Sequence, residues 1–100
     1  MKPYDLSVDA GRDLAAVWLQ GAERWGADQA DRYLDQLDAA MRSVADGTAV
    51  VTRYPETEPP LVYARSGRHL LFAKPGSRPL FVAVLHERSD FGSRVQWRMA

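Results

Sequence analysis

The sequence predicts an α+β domain: an antiparallel-rich sheet with an αα-hairpin packed on one face. Three observations carry that expectation. Between Leu61 and Asp90, three short apolar runs are joined at Ser66-Gly67 and at Pro75-Gly76-Ser77-Arg78-Pro79. Gly supplies positive φ and Pro pre-sets φ, so such runs read as a meander. Between Ala10 and Val44, apolar residues recur at helical spacing in two blocks parted by Gly26. At the start, Tyr4, Leu6 and Val8 alternate with Asp5 and Ser7, the period of a strand with one buried face.

Taken in order, the first strand covers residues 3–8, and Asp9 is placed to cap the helix that follows. That helix carries Ala10, Leu14, Val17, Trp18, Gly21 and Trp25 as one stripe, which counts Trp18 and Trp25 as core, and Gly26 stops it. The second helix opens with Asp28 and Asp31, where the helix dipole favours negative charge. It buries Ala30, Tyr33, Leu34, Leu37, Met41 and Val44, sets Asp28–Arg32 and Asp38–Arg42 outside at i,i+4, and ends at Gly47. The short connection makes the helices antiparallel neighbours. Residues 48–60, with Pro55, Pro59 and Pro60, read as a loop with an extended piece at 50–52. In the meander, Leu80–Leu85 is apolar on both sides, which suggests a central strand covered on both faces. The first strand is expected beside it. The tail from Phe91 alternates weakly through Val95, Trp97 and Met99, as an added edge strand or a frayed end.

One hundred residues with 46% hydrophobic and 26% charged side chains describe a single globular domain, residues 1–100. With no cysteine and two histidines there is no disulfide framework, no thiolate metal site and no expected metal or cofactor. No apolar run approaches the ~20 residues that span a bilayer, so the expected location is cytoplasmic. The net charge of zero hides an asymmetry. Residues 1–50 hold five Lys and Arg against nine Asp and Glu, a net of −4. Residues 51–100 hold eight against four, a net of +4. The second half is suited to an anion, either nucleic acid or an acidic protein partner, or the two halves are solvated faces of opposite sign.

P-loop, G-x-S-x-G and cysteine-nucleophile signatures are missing. A basic and aromatic set remains. Arg65 and Arg68 flank the first turn, His69 opens the next strand, Lys74 and Arg78 flank the second turn, and His86, Arg88 and Asp90 follow the third strand. Arg94, Trp97 and Arg98 lie in the tail. Arginine forks suit carboxylate or phosphate, and histidine moves protons near neutral pH. His86 also reads simply as a strand-end histidine bonded to a carbonyl or to Asp90.

The order of one strand, two helices and a three-strand meander resembles the RelE/ParE toxin superfamily of type II toxin–antitoxin modules, over nearly the whole chain. The motifs are Gly67-Arg68-His69 with its apolar strand, then Leu85-His86-Glu87-Arg88-Ser89-Asp90. Tyr4-Asp5-Leu6-Ser7, Ala10-x-x-Asp13-Leu14 and Gly26-x-x-x-Ala30-x-x-Tyr33 support them. The likeness is to ParE-type members, and it implies a toxin that inhibits DNA gyrase by binding, without a catalytic set, and that a cognate antitoxin neutralises. Direct nucleic-acid binding is then not expected outside a toxin–antitoxin–operator complex. The target-binding residues would be Arg65, Arg68, His86, Arg88, Arg94, Trp97 and Arg98. The resemblance leaves two alternatives. A RelE-type, ribosome-dependent mRNA endonuclease would use Arg65, His86 and Arg88, although no tyrosine follows Tyr63. A non-toxic module would only bind antitoxin.

Overall fold

Ser7, not Asp9, starts the first helix. Its hydroxyl accepts the Ala10 N–H at 3.0 Å, which satisfies a donor left over in the first turn. Helix formation therefore sets in at Val8, and the alternation of Tyr4, Leu6 and Val8 is cut short. Only Tyr4 is buried, while Leu6 and Val8 are 37% and 71% exposed. In the computed structural model, which describes residues 1–99, the elements are β1 (Asp5–Leu6), α1 (Val8–Trp25), α2 (Ala27–Asp46), β2 (Thr52–Tyr54), β3 (Leu61–Ser66), β4 (His69–Lys74), β5 (Leu80–His86) and α3 (Phe91–Met99).

The strands form one mixed sheet in the order β1-β5-β4-β3-β2. The meander is antiparallel, and β1 lies parallel to β5, with Asp5 opposite Leu80 and Leu6 opposite Phe81. Gly26, at φ +95°, ends α1 and leads straight into α2. A left-handed φ of that kind suits glycine, and the abrupt reversal packs the helices side by side. Tyr4, Ala10, Leu37 and Met41 meet Leu71, Ala73, Phe81 and Val84 on one face of the sheet. The second-helix stripe foreseen from its period is the one that packs there, and each leucine-sized side chain buried is worth roughly 1.5–3 kcal/mol.

The tail is neither strand nor frayed. Phe91, Val95 and Met99 fall at i, i+4 and i+8, and α3 lays them over the opposite face, against Leu61, Leu70, Phe72, Val82, Ala83 and Leu85. The sheet is thus covered on both sides. A register shift in the β4–β5 pairing leaves Val82 without a partner and turns Val82 and Ala83 to the same side, toward α3. Such an irregularity bends and twists a strand. Trp18 is half-buried and donates its Nε1–H to Asp31 at 2.8 Å. Trp25 is 67% exposed, contrary to its expected place in the core. The physical reason is length. Eighteen helical residues span about 27 Å, whereas the seven residues of β5 span about 23 Å, so the last turn of α1 overhangs the sheet.

Asp38 fastens the N-terminus to α2. It accepts from the Tyr4 hydroxyl, from Lys2 Nζ at 3.0 Å and from Arg42 Nε at 2.9 Å. Burial pushes its carboxyl upward, but the hydrogen bonds from Tyr4, Arg42 and Lys2 outweigh that and hold it at about 2. The folded value lies below that of the unfolded chain, so the stabilisation is complete above the unfolded value and is lost as pH falls toward 2. Replacement by asparagine, Asp38→Asn, should lower the Tm at neutral pH and flatten its decline between about pH 5 and pH 2. Thermal unfolding across that range checks it, and identical acid limbs in the two proteins would contradict it.

Candidate functional site

The far end of the meander is built around one hydroxyl. Tyr33, on α2, accepts the Arg68 N–H at 3.1 Å, lies 2.6 Å from His69 Nδ1 and 3.4 Å from the Ser66 carbonyl. The turn Ser66–His69 is thereby tied to the helix hairpin. Gly67 is required there twice over. Its φ is +58°, and a Cβ would stand 2.6 Å from the Tyr33 oxygen, closer than atoms can pack. The Gly67-Arg68-His69 motif is the sequence trace of this attachment.

His69 pairs with His86 across β4 and β5, the rings 5.4 Å apart and nearly perpendicular. His86 closes the strand as a turn residue. Its Nδ1 accepts the Arg88 N–H at 3.1 Å, and its carbonyl accepts from the Ser89 hydroxyl at 2.6 Å. Burial, followed by the neighbouring His86 ring, lowers the pKa of His69, while Glu87 and Asp13 pull the other way. The imidazole is therefore held toward its neutral form.

The seven residues expected to bind the target do not converge. Arg65 stands opposite Leu70 on the α3 side of the sheet and is paired with Glu87. His69 and His86 lie toward the hairpin, where His69 meets Tyr33. Arg68 projects from its turn, and Arg88 is exposed beyond β5. Arg94 and Trp97 are exposed on α3, Trp97 by 83%. Arg98, expected at the target surface, is internal. Its guanidinium reaches Asp13 on α1 at 2.6 and 2.9 Å and the Val82 carbonyl at 3.1 Å, with the side chains only 17% and 14% exposed. Among the described residues no group of three or more His, Asp and Glu could hold a metal, and no helix is long and apolar enough to cross a membrane.

Tyr33 and Asp13 appear in the sequence motifs of the family likeness, but neither was given a role in the site. Tyr33 was counted as one more apolar stripe residue. The signal available was a tyrosine on a buried face, since its hydroxyl needs a partner. Asp13 stood among helix-surface charges, with no local sign of a partner in the tail.

Two helices in a hairpin, a meander behind them and a first strand added in parallel define an α+β domain of the RelE/ParE type. A family model described as ParE toxin of type II toxin-antitoxin system, parDE, matches residues 4–91. Toxin ParE of Escherichia coli is 34% identical over 101 residues, covering 99% of this chain and 98% of that protein. Toxin ParE1 of Caulobacter vibrioides is 35% identical, and Toxin ParE1 of Mycobacterium tuberculosis 33% identical. Each aligns over 89 residues, 87% of this chain and 91% of the relative. The chain belongs to the ParE toxin family of type II toxin–antitoxin systems.

The Tyr33 hydroxyl is a testable anchor. Tyr33→Phe keeps the ring and removes the oxygen, so the Arg68 N–H and His69 lose a partner. A loss of about 1–2 kcal/mol is expected in denaturant unfolding, together with a changed nitrogen signature of the His69 ring in NMR spectra. An unaltered His69 signal would show that the hydroxyl does not hold that ring.

Proposed function

We propose that this ParE toxin inhibits DNA gyrase by binding it in the cytoplasm, without catalysing a reaction, and that a cognate antitoxin neutralises it. The observation that carries the reading is the exposed series Arg88, Arg94 and Trp97, running from the end of β5 onto α3. Neither arginine side chain has an acceptor among the described residues. Free guanidinium groups beside an exposed indole are the residue types that anchor protein interfaces.

Separation of the alternative catalytic set speaks against mRNA cleavage. Ribose attack on a phosphate needs a base and charge-stabilising cations within reach of one phosphate. Arg65 is on the α3 side and engaged by Glu87, while His86 is on the hairpin side with Nδ1 occupied by Arg88 N–H. For the antitoxin, the outer edge of β2 is unpaired in the sheet, and Val50 and Val51 leading into it are exposed. An added strand with acidic flanks fits such an edge beside a positively charged half-chain.

Truncation after Arg88 is not a clean test, because α3 covers the second apolar cluster. The combined substitution Arg88→Ala, Arg94→Ala and Trp97→Ala changes exposed side chains only. Expression without antitoxin, with supercoiling and mRNA integrity followed together, should show blocked supercoiling and intact mRNA. The triple variant should keep its unfolding temperature and weaken gyrase inhibition by about tenfold or more. Cleaved mRNA with normal supercoiling would instead identify a ribosome-dependent nuclease. Harmless expression with tight antitoxin binding would identify a non-toxic module.

A further inference from the structure

Both histidines of the chain stand in one cleft. It holds about 620 Å³ and opens between the overhanging end of α1, the start of α2 and the turn end of the meander. Its polar lining consists of His69, His86, Arg24, Arg68, Gln20 and Gln29, and Tyr33 stands behind His69. No carboxylate lines it among the described residues.

The hydrogen bonds fix which way the ring protons lie. His86 Nδ1 accepts the Arg88 N–H, so it presents a lone pair there and the proton of the neutral ring sits on Nε2. The Tyr33 oxygen accepts the Arg68 N–H at 3.1 Å. Its own proton goes to the nearer acceptor, His69 Nδ1 at 2.6 Å, over the Ser66 carbonyl at 3.4 Å. His69 therefore also carries its proton on Nε2. Each ring keeps an Nε2–H without a hydrogen-bond acceptor among the described residues. Arg24 and Arg68 add guanidinium groups with no anionic partner among the described residues; Arg24 only stacks on Trp25 at 5.2 Å. The nearest carboxylates felt by His69, those of Glu87 and Asp13, are held by Arg65 and Arg98.

A concave surface rich in donors and without its own anion is the complement of an oxyanion. A phosphate monoester fits better than a carboxylate, because its three terminal oxygens and charge of about −2 match two imidazoles and two guanidinium groups. The rest of the wall is apolar: Val17, Gly21, Ala30 and the exposed Trp25 indole. Gly21 leaves that wall without a side chain, since a Cβ there would already touch Ala30 at 3.4 Å. An indole beside an anion site accommodates a planar ring by stacking. We infer that this cleft binds a phosphate monoester carrying a planar body, the class of a nucleoside monophosphate. The site lies on the hairpin side and does not use Arg94 or Trp97, so it stands apart from the gyrase-binding reading.

Two histidines make NMR a direct readout. The full chain is titrated near neutral pH, at constant ionic strength, with inorganic phosphate and separately with adenosine 5′-monophosphate. Both imidazole signals should follow one saturable curve, and both pKa values should rise, because a bound anion favours the imidazolium form. The nucleotide should bind about tenfold more tightly than phosphate, and Trp25→Ala should abolish that difference while leaving the phosphate affinity. Arg24→Gln and Arg68→Gln, both at exposed positions, should each weaken binding about tenfold, whereas Arg53→Gln on β2 should not. The inference is overturned by the absence of a saturable shift at millimolar ligand, by the same response to sodium chloride, or by unchanged binding in both cleft arginine variants. Equal affinity for phosphate and nucleotide would overturn the planar-body assignment.

Discussion

The ion pair between Asp13 and Arg98 is the constraint on which the layers of this toxin depend. Strand β1 pairs with β5 for only two residues, because the chain turns into α1 straight after Ser7. The next backbone groups on that edge of β5 are met by side chains instead, the Val82 carbonyl already lying 3.5 Å from the Ser7 hydroxyl. Asp13 accepts the Val84 N–H at 2.8 Å, and Arg98 donates to the Val82 carbonyl at 3.1 Å. Their own bonds to each other, at 2.6 and 2.9 Å, then join α1 on one side of the sheet to α3 on the other. Hydrogen bonding to Asp13 raises the pKa of Arg98 against the opposing effect of burial. Both side chains are largely but not fully shielded, at 17% and 14% exposed, so the ~3–5 kcal/mol lost when one member of a fully buried pair is removed is the upper bound here. That is a large share of the ~5–15 kcal/mol that holds a small domain together.

From that clamp the division of the molecule follows. With α3 held down, Phe72, Leu70 and Leu85 are shielded, and β5 is apolar on both faces for a reason. With the hairpin held at the other end by Tyr33, the two histidines and the turn of Gly67 are fixed in position. The groups singled out by the two proposals lie in separate places: Arg88, Arg94 and Trp97 along the tail, and Arg24, Arg68 and the imidazoles in the cleft. The proposed protein-binding surface and the proposed anion pocket are compatible, because the sheet lies between α3 and the hairpin.

Much of this was legible in the residues. The second-helix stripe, the meander and the two-sided burial of the third meander strand, complete from Phe81 to Leu85, follow from period and turn chemistry, and the expected place of the first strand beside that strand is the one observed. The RelE/ParE likeness rested on short motifs, and the ParE family match bears it out. The tail was misread because nine residues carry too few repeats to separate the two periods. Val95, Trp97 and Met99 suggest a strand, yet Phe91, Val95 and Met99 are the residues that pack. Trp25 was misplaced because periodicity says which face of a helix is apolar, not how far the sheet beneath it extends. Arg98 was misplaced for a different reason. Its partner is 85 residues away, and a charge on an amphipathic helix looks the same in sequence whether solvated or paired.

The most direct measurement is native-state amide hydrogen exchange on Arg98→Gln compared with the unmodified chain. If the ion pair closes the edge of β5 and pins α3, the Val84 amide and the amides of α3 should lose protection together, while α2 keeps most of its own. Unchanged protection at Val84 and along α3 would mean that apolar contacts alone hold the tail, and would contradict this account of how the two layers are joined.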